Sequence, residues 1–383
     1  MNDRSELQRK MQGIFAHLHN HPEVSWQEHD TTTYIVKLLQ EVGLEPQTFD
    51  DIPGLYVDIG QGTPVVGLRT DMDALWQEVD GQFQANHSCG HDGHMTMAIG
   101  AALLLKEQKD TLPGAVRLLF QPAEEKGEGA LALVEKGLVD DLSYLFGVHV
   151  RPFIELDDGK YAPALHHGAA KLFKGVIHGK EAHGARPEQG INTIEVGAAI
   201  VNGLSSLHMD PNVSSSVKMT QFQAGGESVN IIPGKATFSI DARAQTNEVL
   251  TQLEEGIKRV IRSVDLQFGA HIDLTLGANI VAAQPNDQAI RFMAQAIEDV
   301  TGKAALAPEI IIPGGEDFHY YTYKRPHIKA TMLGLGCGVT PGLHHPNMTF
   351  NEERLITGAF ILANTVERAL QHERSELHED TRN

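Results

Sequence analysis

Residues 87–95 read HSCGHDGHM, which places three histidines, one cysteine and one aspartate within nine positions. Groups of the same chemical kind stand elsewhere: Asp71 and Asp73 in RTDMDAL, Glu124 and Glu125 in QPAEEKGEG, His149 near the end of YLFGVHV, and His344 with His345 in PGLHHP. Taken singly, each has an ordinary structural explanation. Acidic pairs suit helix N-termini, and aspartates suit turns. Taken together, imidazole, carboxylate and one thiolate make a donor set for Zn²⁺ or another divalent transition ion. A redox site needs a second nearby thiol, as in C-x-x-C, and the only other cysteine is the distant Cys337. Cys89 as a nucleophile paired with His91 stays open at this point. Carboxylates nearby would raise a free thiol's pKa, whereas a metal would hold it as thiolate. There is no G-x-S-x-G elbow and no phosphate-binding loop, and GLGCG (334–338) reads as a tight turn.

Such residues need elements that bring them together. LYVDIG (55–60), VVGLRT (65–70), AVRLLF (115–120) and YLFGVHV (144–150) are short and nearly continuously apolar, the pattern of strands buried on both faces of a sheet. Helical spacing covers 5–19, 30–43 with Gly43 as its stop, 93–108 and 127–137. Alternating strands and helices predict an α/β domain, in which functional groups gather past the carboxyl ends of strands. The suspect aspartates, glutamates and histidines stand at such ends. After about residue 165 the style changes. AAKLFKGVIHGK, SSSVKMTQFQAGG and KATFSIDARA alternate in polarity like half-buried strands, with amphipathic helices near 191–208 and 246–264. The first style then returns as a helix (286–301), a strand (328–336) and a final helix (352–371). The reading is therefore an α/β catalytic, metal-binding domain of residues 1–165 and 281–383, with an α+β domain of residues 166–280 inserted in it. The tail HERSELHEDTRN reads as polar and frayed.

Composition bounds the function. The 383 residues are 41% hydrophobic and carry a net charge of −19, which argues against nucleic acid or an anionic membrane as partner. The N-terminus MNDRSELQRK lacks an apolar signal region, and two distant cysteines make no disulfide framework, so a cytoplasmic enzyme is expected.

An ordered series of motifs resembles the amidohydrolase branch of the aminoacylase/carboxypeptidase metallopeptidase family. The series runs HNHPEVSWQE (19–28), LRTDMDAL (68–75), SCGHDGHM (88–95), FQPAEE (120–125), GVHV (147–150), GGEDF (314–318) and GLHHP (342–346). Within the insertion, EAHGARPEQGIN (181–192) and GGESVNIIPGKATFSIDAR (225–243) also match. The resemblance implies a metallo-exopeptidase-like catalytic domain, with the insertion as lid and dimerisation domain. It implies two divalent metal ions (Zn, Mn, Co or Ni), with Cys89, His91, Glu125, His149 and His344 as ligands and Cys89 as the bridge. Glu124 would be the general base, and Asp73 would support a ligand from behind. His183 would stabilise the oxyanion from a partner's lid in a homodimer, and Asn230 and Arg243 would bind substrate. His87, Asp92 and His94 match no ligand position.

The implied reaction is hydrolysis of the amide bond of an N-acyl amino acid or similar small amide, by a water activated at the metals. The alternatives are a dipeptidase or aminopeptidase, and a metal-binding protein without catalysis. The chain departs from the pattern at Trp76, where relatives have proline, and in HGARPEQG, where Arg186 adds a cation near His183. The alternative for Arg243 is a structural ion pair.

Overall fold

The apolar runs form strands because only a sheet buried on both faces can use them. In the computed structural model, which describes residues 4–380, seven strands make one mixed sheet. Their order across it is 47–48, 55–59, 115–121, 64–71, 144–152, 329–339 and 161–162. Strands 115–121, 64–71, 144–152 and 329–339 lie side by side and parallel, so their carboxyl ends open at one edge. Helices 4–20, 91–107, 287–301 and 355–380 pack on one another and on this sheet. Helix 91–107 has no polar face, and nearly every residue in it is buried. Gly93 and Gly100 let neighbours come close: a Cβ would stand 3.0 Å from Phe350 and 2.8 Å from Ala359.

The chain divides into two compact units. The first comprises residues 1–166, 284–310 and 317–383, and the second 167–283 with 311–316. The second unit takes in the expected inserted stretch and adds residues 311–316. In the second unit, strands 215–224, 235–244, 169–178 and 271–280 form an antiparallel sheet in that order. Strand 235–244 alternates between exposed and buried residues, as a half-covered strand must. Helices 193–205 and 247–268 cover the apolar face, capped by the side chains of Asn192 and Thr246. A separate core of Phe173, Ile177, Ile200, Phe238, Ile240 and Ile257 lies beneath them.

Some expectations need correction. GLGCG is no turn: it lies inside strand 329–339. Its glycines serve close packing, because a Cβ on Gly336 would stand 2.1 Å from the Asp157 carbonyl oxygen. The polar tail does not begin at 372. Helix 355–380 continues through it, and residues 381–383 lie outside the described ones. Strand 271–280 and the hairpin 75–79/82–86 were not foreseen. The hairpin turns on Asp80 (φ +51°) and Gly81 (φ +81°), the left-handed pair that a two-residue turn requires.

Candidate metal centre

The suspect residues converge at the carboxyl edge of the large sheet. Gly90, at φ +83°, lets the chain enter helix 91–107, with Cys89 just before it and His91 as its first residue. A Cβ on Gly90 would stand 2.5 Å from Val150, so only glycine fits. Strand 144–152 supplies His149, the turn after 115–121 supplies Glu124 and Glu125, and the loop after 329–339 supplies His344. His344 itself has φ +64°, a strained conformation typical of functional loops.

Cys89 Sγ is 3.6 Å from His149 Nε2 and 3.3 Å from His344 Nε2. Glu125 Oε1 is 3.8 Å from His91 Nε2 and 3.5 Å from His344 Nε2. Among the donor groups that result, each spanning no more than 4.8 Å, are Cys89–His91–His149, Cys89–Glu125–His344 and His91–Glu124–Glu125, with Asp71–His91–His94 adjoining them. Cys89 belongs to two of them. The Nδ1–H of His91 donates to the Asp73 carbonyl oxygen (2.8 Å), and that of His149 to the Val150 carbonyl oxygen (2.7 Å). Both rings are thus anchored through Nδ1 and direct Nε2 at the cluster, His149 toward Cys89 and His91 toward Glu125, as hydrogen bonds from behind orient metal-ligating histidines. His91 Nε2 and Glu125 Oε1 are buried with no hydrogen-bond partner.

Electrostatics point the same way. Burial works against a charged His91, yet Asp71, Cys89 and Asp73 around it push its pKa well above the ordinary value. Burial holds His149 well below its ordinary value. Burial, and then Glu125, push the Cys89 thiol up to about 12. A buried nest of carboxylates and a thiol that draws a proton onto its own histidine is a nest that favours a cation. The donors present therefore fit divalent metal.

Asp73 is the hub of the supporting circle. Its oxygens accept from Ser25 Oγ (2.6 Å), His91 Nδ1 (3.2 Å), Glu124 N (3.1 Å) and Glu125 N (3.0 Å). Ala123 sits before the two glutamates at φ +53°, its N–H held by the buried Glu28 at 2.8 Å. Burial pushes the pKa of Glu28 up to about 8.

Sequence reasoning assigned no role to several buried residues beside the centre. His94 donates from Nδ1 to Asp71 Oδ1 (2.8 Å) and accepts the Val150 N–H at Nε2 (3.0 Å), so both its nitrogens are engaged. Arg69 is wholly buried and pairs with both Asp71 (2.8 Å) and Asp317 (2.7 Å). Nothing in VVGLRT marked its last arginine as interior. The signal was present only in the motifs that contain Arg69, Gln121 and Asp317. His87 is buried with neither ring nitrogen hydrogen-bonded, and nothing in the structure explains it.

The remaining candidates belong to the second unit. His183 is exposed on the short strand 182–183, paired with Ile231, and its Nδ1 accepts the Ala185 N–H at 3.0 Å. Asn230 accepts the Gly184 N–H at 2.7 Å through its carbonyl oxygen. Arg243 pairs with Asp241 at 3.0 Å on the exposed side of its strand. Trp76, in the hairpin of the first unit, is 64% exposed.

The profile of Peptidase family M20/M25/M40 matches residues 67–368. The chain is 32% identical over 389 residues to N-acetyl-L-cysteine deacetylase of Bacillus subtilis, covering 96% of this chain and 89% of that protein. It is 32% identical over 384 residues to IAA-amino acid hydrolase ILR1-like 4 of Arabidopsis thaliana, covering 94% and 86%. Among solved structures, it superposes with TM-score 0.82 and 28% identity on a dinuclear metal-binding peptidase of the M20 family from Bacillus subtilis. That match covers 96% of this chain and 99% of the other.

Proposed function

The chain belongs to peptidase family M20/M25/M40 and is a metal-dependent hydrolase of amide bonds; from that premise we propose that it deacylates N-acyl amino acids. Two divalent ions serve it, as in the dinuclear relative, and Cys89, His91, Glu125, His149 and His344 hold them. One observation carries the reading: two donor groups share Cys89, and a third joins His91 to the adjacent Glu124 and Glu125, of which the family resemblance makes Glu125 the ligand and Glu124 the base. Metal identity lies among Zn, Mn, Co and Ni, the thiolate and imidazoles favouring the first.

When bound, such ions supply Lewis acidity toward a carbonyl and a lowered pKa for water. The chain supplies the proton handling. A carboxylate oxygen of Glu124 takes a proton as the water oxygen bonds to the amide carbon. It later delivers that proton to the departing nitrogen as the C–N bond breaks. Glu125 cannot do this while ligating, which is why adjacent carboxylates divide the work. Asp73 keeps both glutamates and His91 in place. The family resemblance supports His183 as oxyanion donor, and Asn230 and Arg243 as substrate contacts, Arg243 suiting a carboxylate.

The same resemblance supports a catalytic first unit and a lid and dimerisation role for the second. Sedimentation of the purified chain tests the homodimer. The two cysteines are free and buried, which suits a reducing cytoplasm, and neither nucleic acid nor membrane is assigned as a partner. The function is tested by a hydrolysis screen of N-acetyl amino acids, other N-acyl amino acids and dipeptides with added Mn²⁺, Zn²⁺ or Co²⁺. We expect amino acid release from the acylated set, slowed in His183→Ala. Turnover of dipeptides alone would establish a dipeptidase instead.

A further inference from the structure

Glu124 follows a strained residue, and its side chain projects from a short turn. Its backbone is fixed by Asp73, but a general base needs its carboxylate oriented as well. Oε1 of Glu124 accepts a hydrogen bond from the backbone N–H of Asp317 at 3.3 Å. Asp317 is fully buried, and its own carboxylate is held from several directions. Oδ1 accepts from Arg69 Nη2 (2.7 Å) and Gln121 Nε2 (2.9 Å), and Oδ2 from the Ala130 N–H (2.9 Å) and Gln121 Nε2 (2.9 Å). Arg69 is in turn committed on every side: Nη1 donates to Asp71 Oδ2 (2.8 Å) and Nε to Gln121 Oε1 (2.8 Å). Tyr321 closes the set by donating to Gln121 Oε1 at 3.0 Å. A buried guanidinium between two buried carboxylates is retained at a high desolvation cost, and hydrophobic packing would fill the space more cheaply.

We propose that Asp317, clamped by Arg69, is a positioning residue for the reaction: it aims the Glu124 carboxylate through its backbone N–H. The inference rests on the reading of Glu124 as base. Arg69 suits the clamp because its planar fork bridges two carboxylates at once, which a lysine ammonium cannot do. Asp71, on the other arm, passes the constraint through His94 to the Val150 N–H, next to His149. One guanidinium thus registers the base loop against a metal-ligand strand.

Asp317→Asn keeps the shape and the backbone N–H. It turns an amide –NH₂ toward donors that demand an acceptor, so residue 317 must shift. The expected result is a kcat lower by about ten- to a hundred-fold, the usual cost of losing such a support. KM stays within about twofold and both metal ions stay bound. Arg69→Lys moves in the same direction. The decisive arm is the double variant. If Asp317 acts through Glu124, Asp317→Asn leaves the residual rate of Glu124→Gln unchanged, because no base remains to aim. Three results overturn the proposal: a folded Asp317→Asn with wild-type kcat, the same fold-loss in the Glu124→Gln background, or a loss explained by missing metal. Wild-type activity in Glu124→Gln alone would remove the base assignment itself and the positioning role with it. That outcome is distinct from an inactive Glu124→Gln beside a fully active Asp317→Asn.

Discussion

Cys89 sits where its surroundings oppose its own ionisation. Burial first, and Glu125 second, push its pKa up to about 12, so in metal-free protein it is a thiol at neutral pH. This removes most of the appeal of Cys89 as a free nucleophile, since the thiolate is the reactive form. It also fixes a sign. A ligand must be the thiolate, so an ion that binds here expels the Cys89 proton, and metal affinity rises with pH around neutrality. Calorimetry of metal binding in buffers of different ionisation enthalpy should show one proton fewer released by Cys89→Ser than by wild type. The pH slope of affinity should be flatter by the same amount. Equal proton release in the two proteins would exclude the thiolate as ligand. Cys337 does not complicate the assay, being fully buried inside a strand.

At the scale of elements, the segment from Gln121 to Gly129 is the part most sensitive to shape. It must leave strand 115–121, turn through Ala123 in a left-handed conformation, present two glutamates and enter helix 129–135. Gly129 makes this fit: a Cβ there would stand 1.7 Å from the Pro122 carbonyl oxygen and 2.7 Å from Gln121 Nε2. Gly129→Ala should therefore spread the loop and lower activity and metal affinity by at least about tenfold, as when a ligand's support is lost. Gly13→Ala, in helix 4–20 with nothing within 4 Å, is the control. It should leave activity unchanged and stabilise by up to about 1 kcal/mol. Equal kinetics for the two variants, measured at saturating metal, would contradict this account of the loop. The same element shows what the sequence could and could not convey. Strand 115–121 was legible from AVRLLF, and the glutamates from their place after it. The hairpin 75–79/82–86 was missed although DG marks its turn, because its strands are polar and half-exposed and carry no apolar run. Strand 271–280 was missed for a similar reason: it lies at a sheet edge and is mostly exposed. The Arg69–Asp317 pair joins residues 248 positions apart, and no local pattern reveals a contact of that span.

Over the whole molecule, the chemistry is divided between units. All five proposed metal ligands, with Glu124 and Asp73, belong to the first, while His183, Asn230 and Arg243 belong to the second. No described helix is long and apolar enough to cross a membrane. The account stands or falls on whether this chain hydrolyses an N-acyl amino acid with two ions and Glu124. The most direct measurement strips the protein with a chelator, restores Mn²⁺ or Zn²⁺ stepwise, and follows amino acid release together with bound metal. The rate should be near zero in stripped protein and reach its plateau at two ions per chain, the number named for the dinuclear relative. Glu124→Gln should bind the same two ions and turn over at least about a hundredfold more slowly, as expected on losing a general base. Full hydrolysis in stripped protein, or none from any N-acyl amino acid with both ions bound, would contradict it.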